Sequence, residues 1–249
     1  MPMDILAIRT SPEAVAAHTG SIHATILKES NDIRQPNFTA IGTTDLYRLF
    51  ELYDQMFFES WLGKTVIEKT GLALRFRLSP TMTRAGGKTI TYRMHDEMRF
   101  EIAIASRMLF MTFRDIARPV TVCGLLCADR LQALQRIMEH EIIHLAELLA
   151  WGESSCSAPR FQSMARNIFG HVNHRHELVT PREHAAKVHA IQIGQKVEFE
   201  FEGTRHVGTV NRIHRRATVL VESENGMRYT NGKNYLKFYV PLRDLRAVT

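Results

Sequence analysis

With only three cysteines in 249 residues (Cys123, Cys127 and Cys156), the chain cannot carry the disulfide framework that staples small secreted domains. Reduced thiols are the expectation. It also has no uncharged apolar run of about 18 residues, so an ordinary transmembrane helix is excluded and no membrane partner is expected. The stretch Met1 to Leu6 lacks a basic segment followed by a long apolar one; no signal peptide is visible, and a cytoplasmic location is the expectation. Internal repeats and low-complexity segments are absent, which sets aside solenoids and disordered tails. What is present suits a globular protein with a real core: 45% of residues are hydrophobic and 23% charged. A net charge of +6 hints at a polyanionic partner.

Along the chain, Ser11-Pro12-Glu13 opens a short helix with Ser11 as its cap and Pro12 at its first position. A polar linker follows around Glu29–Asp32 and Pro36. From Thr43 an amphipathic helix is expected, with Leu46, Leu49, Phe50, Leu52, Tyr53, Met56 and Phe57 on its apolar face and Gly63 as its end. The alternation of Leu72, Leu74, Phe76 and Leu78 with Arg75 and Arg77 reads as a half-buried strand. Thr89–Arg93 and Phe100–Ala105 read as two more, after a turn at Ala85-Gly86-Gly87. A long helix is expected to follow Pro119 and run to about Trp151, with Gly152 as terminator. A further helix runs from Pro159 to Gly170, and a histidine-rich connection spans His171 to His189.

The chemistry is concentrated at His140-Glu141-Ile142-Ile143-His144. Histidines at i and i+4 project from one helix face, so both imidazoles can reach one Zn²⁺. The glutamate after the first histidine can hold a zinc-bound water and take its proton, and the metal brings that water's pKa toward neutrality. Ile137, Ile142, Ile143, Leu145, Leu148 and Leu149 make the setting apolar, where two imidazoles and a carboxylate need a compensating partner.

Further residues support a family resemblance. Tyr53–Phe58, the segment Arg77-Leu78-Ser79-Pro80-Thr81-Met82-Thr83-Arg84-Ala85-Gly86-Gly87-Lys88-Thr89, and Phe100–Ala105 resemble the helix, Gly-bearing hairpin and preceding strand of SprT-like (Spartan-type) zinc metalloproteases. His140–His144, and a trailing helix with Phe161, Ala165, Asn167 and Phe169-Gly170, extend the similarity over about residues 43–180. The resemblance implies a zincin-like α+β domain, a Zn²⁺ cofactor, catalytic Glu141 and hydrolysis of a protein substrate, on proteins associated with nucleic acid. One position departs from the pattern. The family's third ligand is a histidine beginning H-G-x-x-F, and alignment on Phe161 places Ser157 there; serine is a poor ligand and its expected job is capping the helix at Pro159. Cys156, one residue away, is the leading substitute beside His140 and His144, since a thiolate binds zinc strongly. His171 and Glu147 remain open as third ligands. His174 and His176 lie near a histidine of the family, and Cys123 with Cys127 read as packing.

Beyond Gly194 the texture changes to short alternating strands: Val197–Phe201, Val207–Ile213, Ala217–Val221 and Phe238–Val240. This resembles an SH3/KOW-like module, and a small all-β barrel is expected. Residues 191–249 hold ten Lys/Arg against six Asp/Glu, supplying +4 of the +6. Arg205, Arg212, Arg215 and Arg216, interspersed with aromatics such as Phe199, Phe201, Tyr229, Tyr235, Phe238 and Tyr239, suit DNA or RNA. The expected organisation is an extension and linker over 1–42, a metalloprotease domain over 43–189 and the basic module over 190–249. Two functions follow: a zinc metallopeptidase, or a non-catalytic nucleic-acid-binding protein with a structural or degenerate zincin site.

Overall fold

A computed structural model describes residues 4–94 and 97–248. The chain is mixed α+β and divides into two compact units: Met1–Phe113 with Arg118–Leu178, and Arg114–Ala117 with Val179–Thr249.

The first unit opens with α1 (Pro12–Glu29), capped by the Ser11 side chain accepting from the Ala14 amide. Its Val15, Ile22 and Ile26, one or two turns apart, enter the main core, and Ile33 and Phe38 of the following segment join them. Each such side chain contributes about 1.5–3 kcal/mol when fully buried. Residues 12–38 are thus built into the unit and do not form the extension expected over 1–42. Helix α2 (Thr43–Phe58) ends five residues earlier than its expected stop at Gly63. Glu59 and Ser60 both adopt left-handed backbone, and Asp54 accepts the Leu62 and Gly63 amides at 2.9 and 2.8 Å, starting a new helix, α3 (Trp61–Thr70). Gly63 lets that carboxylate approach: a β-carbon there would lie 3.2 Å from Asp54 Oδ2.

Strands β1 (Arg75–Leu78), β2 (Gly87–Met94) and β3 (Glu97–Ile104) form a sheet in the order β1-β3-β2. β1 runs parallel to β3, while β2 is an antiparallel edge strand with Gly87 opposite Ile104. A short helix α4 (Ser106–Met111) follows. The long helix expected directly after Pro119 is interrupted. Val120–Val122 (β4) and Leu125–Cys127 (β5) form a hairpin instead, joined by Cys123 and Gly124, both with positive φ. Two such residues make the turn whose twist matches paired strands. The helix proper, α5 (Arg130–Trp151), starts after Asp129, whose side chain accepts the Gln132 amide, and ends at left-handed Gly152. Helix α6 (Pro159–Phe169) has Ala158 at its cap with no side-chain bond, so Ser157 does not cap it; its hydroxyl faces Ser155 at 3.0 Å.

The second unit takes in α7 (Pro181–Val188), ahead of the composition change near residue 190, because Ala185 and Ile191 are buried in its core. Five strands follow: β6 (Lys196–Phe201), β7 (Thr204–Ile213), β8 (Ala217–Arg228), β9 (Asn234–Val240) and β10 (Arg246–Ala247), in the order β10-β6-β7-β8-β9. The expected barrel does not close among the described residues. β10 is two residues long and pairs only with β6, which leaves β9 as an open edge. No helix among the described residues is long and apolar enough to cross a membrane.

Candidate metal centre

Helix α5 presents His140 and His144 on one face with their Nε2 atoms 3.2 Å apart. Both imidazoles pack on the Phe161 ring of α6, at centroid distances of 4.9 and 4.5 Å. Burial is the first cause that keeps them neutral: it holds His140 down to about 3, with neighbouring imidazoles adding to the effect, and His144 down to about 4. Their lone pairs are therefore free at neutral pH.

The far nitrogens decide which lone pairs those are. His144 Nδ1 lies 2.7 Å from Ser154 Oγ, and that hydroxyl donates to Glu147 Oε2 at 2.6 Å. Ser154 spends its proton on the carboxylate, so it accepts from Nδ1–H and leaves His144 Nε2 as an acceptor. Glu147 is fully buried and also accepts from Arg160 Nε at 2.7 Å, while Arg160 stacks over Trp151 at 4.3 Å. His140 Nδ1 faces Cys123 Sγ at 3.7 Å, and that thiol has the Arg136 carbonyl as its own acceptor at 3.9 Å, which again turns Nε2 outward. Two bare acceptors this close repel each other unless a cation sits before them.

Cys156 completes the set. One ligand atom from each of His140, His144 and Cys156 lies within 4.8 Å of the others, and this group could hold a metal ion. The Cys156 thiol is held above its ordinary value, by burial first and by the charges of Glu141 and Glu147. The other two candidate ligands are engaged elsewhere. His171 is buried with its Nε2 2.8 Å from Glu139 Oε2, in a network where Tyr53 and Arg136 also donate to Glu139. Burial opposes the Glu139 charge, but Arg136, His171 and Tyr53 outweigh it and hold the carboxyl below its ordinary value. Glu147 stands one hydroxyl behind His144. His176 pairs through its backbone with Val122, near Gly86, and burial lowers its pKa; His174 is half-buried in the same strap.

Glu141 follows His140 on α5, is 3% exposed and lies against Thr89 of the edge strand β2. Thr89 holds it there: its Oγ1 is 2.8 Å from Glu141 Oε2, and its amide donates to the same carboxylate. Burial pushes Glu141 up to about 7 against those bonds. Gly87 makes the room, since a β-carbon at that position would sit 2.7 Å from both Cγ and Oε1 of Glu141. Thr89, Gly87, Ser154 and Arg160 form the surroundings that motif reading did not assign a role. Cys123 and Cys127 pack as expected, buried in the core.

In the second unit, Arg212, Arg215 and Arg216 line one groove, joined by Arg228 and Lys237, which the sequence clustering did not include. Arg205 does not line it and pairs with Glu198. Phe199 is buried in the unit's core and half-buried Phe238 packs against it, so these two rings are structural, whereas Tyr239 stays 63% exposed.

Comparison with protein-family models, with curated proteins and with solved structures returns no match to this chain.

Proposed function

We propose that the first unit is a zinc-dependent peptidase of SprT-like, zincin type, in which His140, His144 and Cys156 hold the metal and Glu141 is the general base. The observation that carries this reading is the three-donor cluster beside a buried carboxylate. Nitrogens bound at about 2.0–2.1 Å to one tetrahedral ion lie about 3.3 Å apart, against 3.2 Å for this pair. Two imidazoles and a thiolate are a donor set that suits zinc, and three protein ligands leave the open position of a catalytic site. Zinc held there supplies Lewis acidity and brings the pKa of water to near neutrality.

The chain's own residues supply the rest. Glu141, buried and held by the Thr89 hydroxyl, takes a proton from water and delivers it to the leaving amine. Thr89 fixes the carboxylate through its hydroxyl, and the absence of a side chain at Gly87 keeps it from being displaced. The Ser154–Glu147–Arg160 chain holds the tautomer of His144 that presents Nε2.

The test is cleavage of an unfolded protein such as reduced casein by the zinc-loaded chain and by Glu141→Gln. Loss of a general base should lower the rate about 100-fold or more with zinc content unchanged. Undiminished cleavage by the variant would sink the mechanism, and zinc-loaded protein that cleaves nothing would sink the peptidase reading.

A further inference from the structure

We infer that the outer face of the second unit's sheet is a binding groove for single-stranded nucleic acid, gripped by phosphate contacts and base stacking. The inference does not depend on the metal reading. Cross-strand pairing puts Arg212 opposite Thr218 and Thr218 opposite Tyr239, so these three form one row on one face. Leu220 opposite Lys237 is the next row on that face. The intervening Ala217, Val219 and Val240 point the other way into the core.

The register of β8 against β9 then shifts at a bulge before the end of β8. Glu222 and Met227 both pair with Tyr235, and residues 223–226 loop out between them. Gly226 permits it, because a β-carbon there would lie 2.3 Å from the Tyr235 carbonyl carbon. The result brings Met227, Arg228 and Tyr229 to line the same groove as Arg212, Lys237 and Tyr239.

Two features identify the occupant. The groove carries Arg212, Arg215, Arg216, Arg228 and Lys237 and no acidic residue, and none of the five forms an ion pair among the described residues. Elsewhere in the unit Arg205 pairs with Glu198, Lys233 with Glu222 and Arg243 with Asp244. Unneutralised cations in a row fit a polyphosphate backbone. Second, Tyr239 offers an exposed ring among them, and the Lys237 ammonium lies 5.6 Å over the Tyr229 ring. Such rings stack on bases only when the bases are unpaired, which selects single strands over duplex.

The experiment is fluorescence anisotropy of the full chain with labelled dT20, rU20 and a 20-base-pair duplex, and with polyphosphate as competitor. Five phosphate contacts give a log–log salt slope of about −3.5, a loss of roughly 100-fold between 50 and 200 mM salt. Arg212→Ala and Lys237→Ala should each weaken binding and reduce the slope by about 0.7. Tyr239→Ala should cost about fivefold or more with the slope unchanged, and Tyr239→Phe should bind like the parent. Arg205→Ala, on the same unit but outside the groove, should leave affinity within about twofold. These positions are exposed, so folding is not at stake. dT20 and rU20 should bind alike, because phosphates and base faces are common to both. No binding of dT20 at low salt, tighter binding of duplex, or an Arg205→Ala effect as large as that of Arg212→Ala would each overturn the inference. So would Tyr239→Ala without effect together with polyphosphate competing as well as dT20.

Discussion

Ser154→Ala removes one oxygen and tests how the proposed metal ligand His144 is oriented. The hydroxyl stands between His144 Nδ1, at 2.7 Å, and Glu147 Oε2, at 2.6 Å. Without it His144 Nδ1–H loses its acceptor, and the wholly buried Glu147 keeps only Arg160 as a charged partner. A buried polar group left unpaired costs about 1–3 kcal/mol, which sets the expected loss of folding stability in the metal-free protein. The effect on the metal is separate. With its orienting bond gone, His144 is no longer held in the tautomer that offers Nε2 beside His140, and outer-shell losses of this kind cost about 10–100-fold in metal affinity. Competition with a chromophoric chelator on metal-stripped protein reads the affinity, and chemical denaturation reads the stability. Ser157→Ala is the control, since Ser157 meets only the Ser155 hydroxyl and the Gln162 amide at the surface. Zinc affinity of Ser154→Ala within about twofold of the parent would refute the claim that this hydroxyl sets the geometry of His144.

Cys156→Ala should lose zinc, whereas His171→Ala should keep it and lose about 1–3 kcal/mol of stability, because Glu139 then loses a buried partner; elemental analysis and denaturation separate the two. Gly87→Ala should cost about 1–3 kcal/mol by overpacking against Glu141 and depress cleavage while leaving zinc content intact, as the added methyl meets the carboxylate and no ligand atom. The metal-free protein should also show a specific pH dependence. Glu141, raised from 4.5 to about 7, keeps its proton in the folded chain where the unfolded chain has lost it, so its contribution falls as pH rises through that window, by about 3 kcal/mol. His144 and His140, lowered from 6.5 to about 4 and about 3, act in the opposite sense and remove stability as pH falls below 6.5. Relative to the parent, Glu141→Gln should therefore gain about 3 kcal/mol between pH 4.5 and 7 in urea titrations, and a pH-independent difference would contradict the burial of this carboxyl.

Much of the first unit was legible wherever local rules act alone. Ser11 with Pro12 marked the start of α1, Gly152 and Gly170 marked the ends of α5 and α6, and alternation marked the strand at Phe76. The readings that changed are those where a short run fits two periods. The run Val120–Cys127 was absorbed into the helix expected after Pro119, and the two left-handed residues between Val122 and Leu125 make it a hairpin. At Gly63, a glycine after an apolar run looked like a stop, but its role is to admit the Asp54 carboxylate, a contact from nine residues earlier.

The sequence by itself determined the spacing of His140, Glu141 and His144 on one helix, because i and i+4 share a face whatever surrounds them. It also determined the surplus of cations after residue 190. The tertiary structure decided which third donor meets the imidazoles, Cys156 from the loop before α6 and not His171, whose imidazole is bound to Glu139. It decided likewise that Thr89 and Gly87 hold and admit the carboxylate, and that Arg228 and Lys237 join Arg212 while Arg205 does not. Ligand sets and grooves are made of residues far apart in the chain, and their distances are fixed by packing and strand register, which no local spacing encodes.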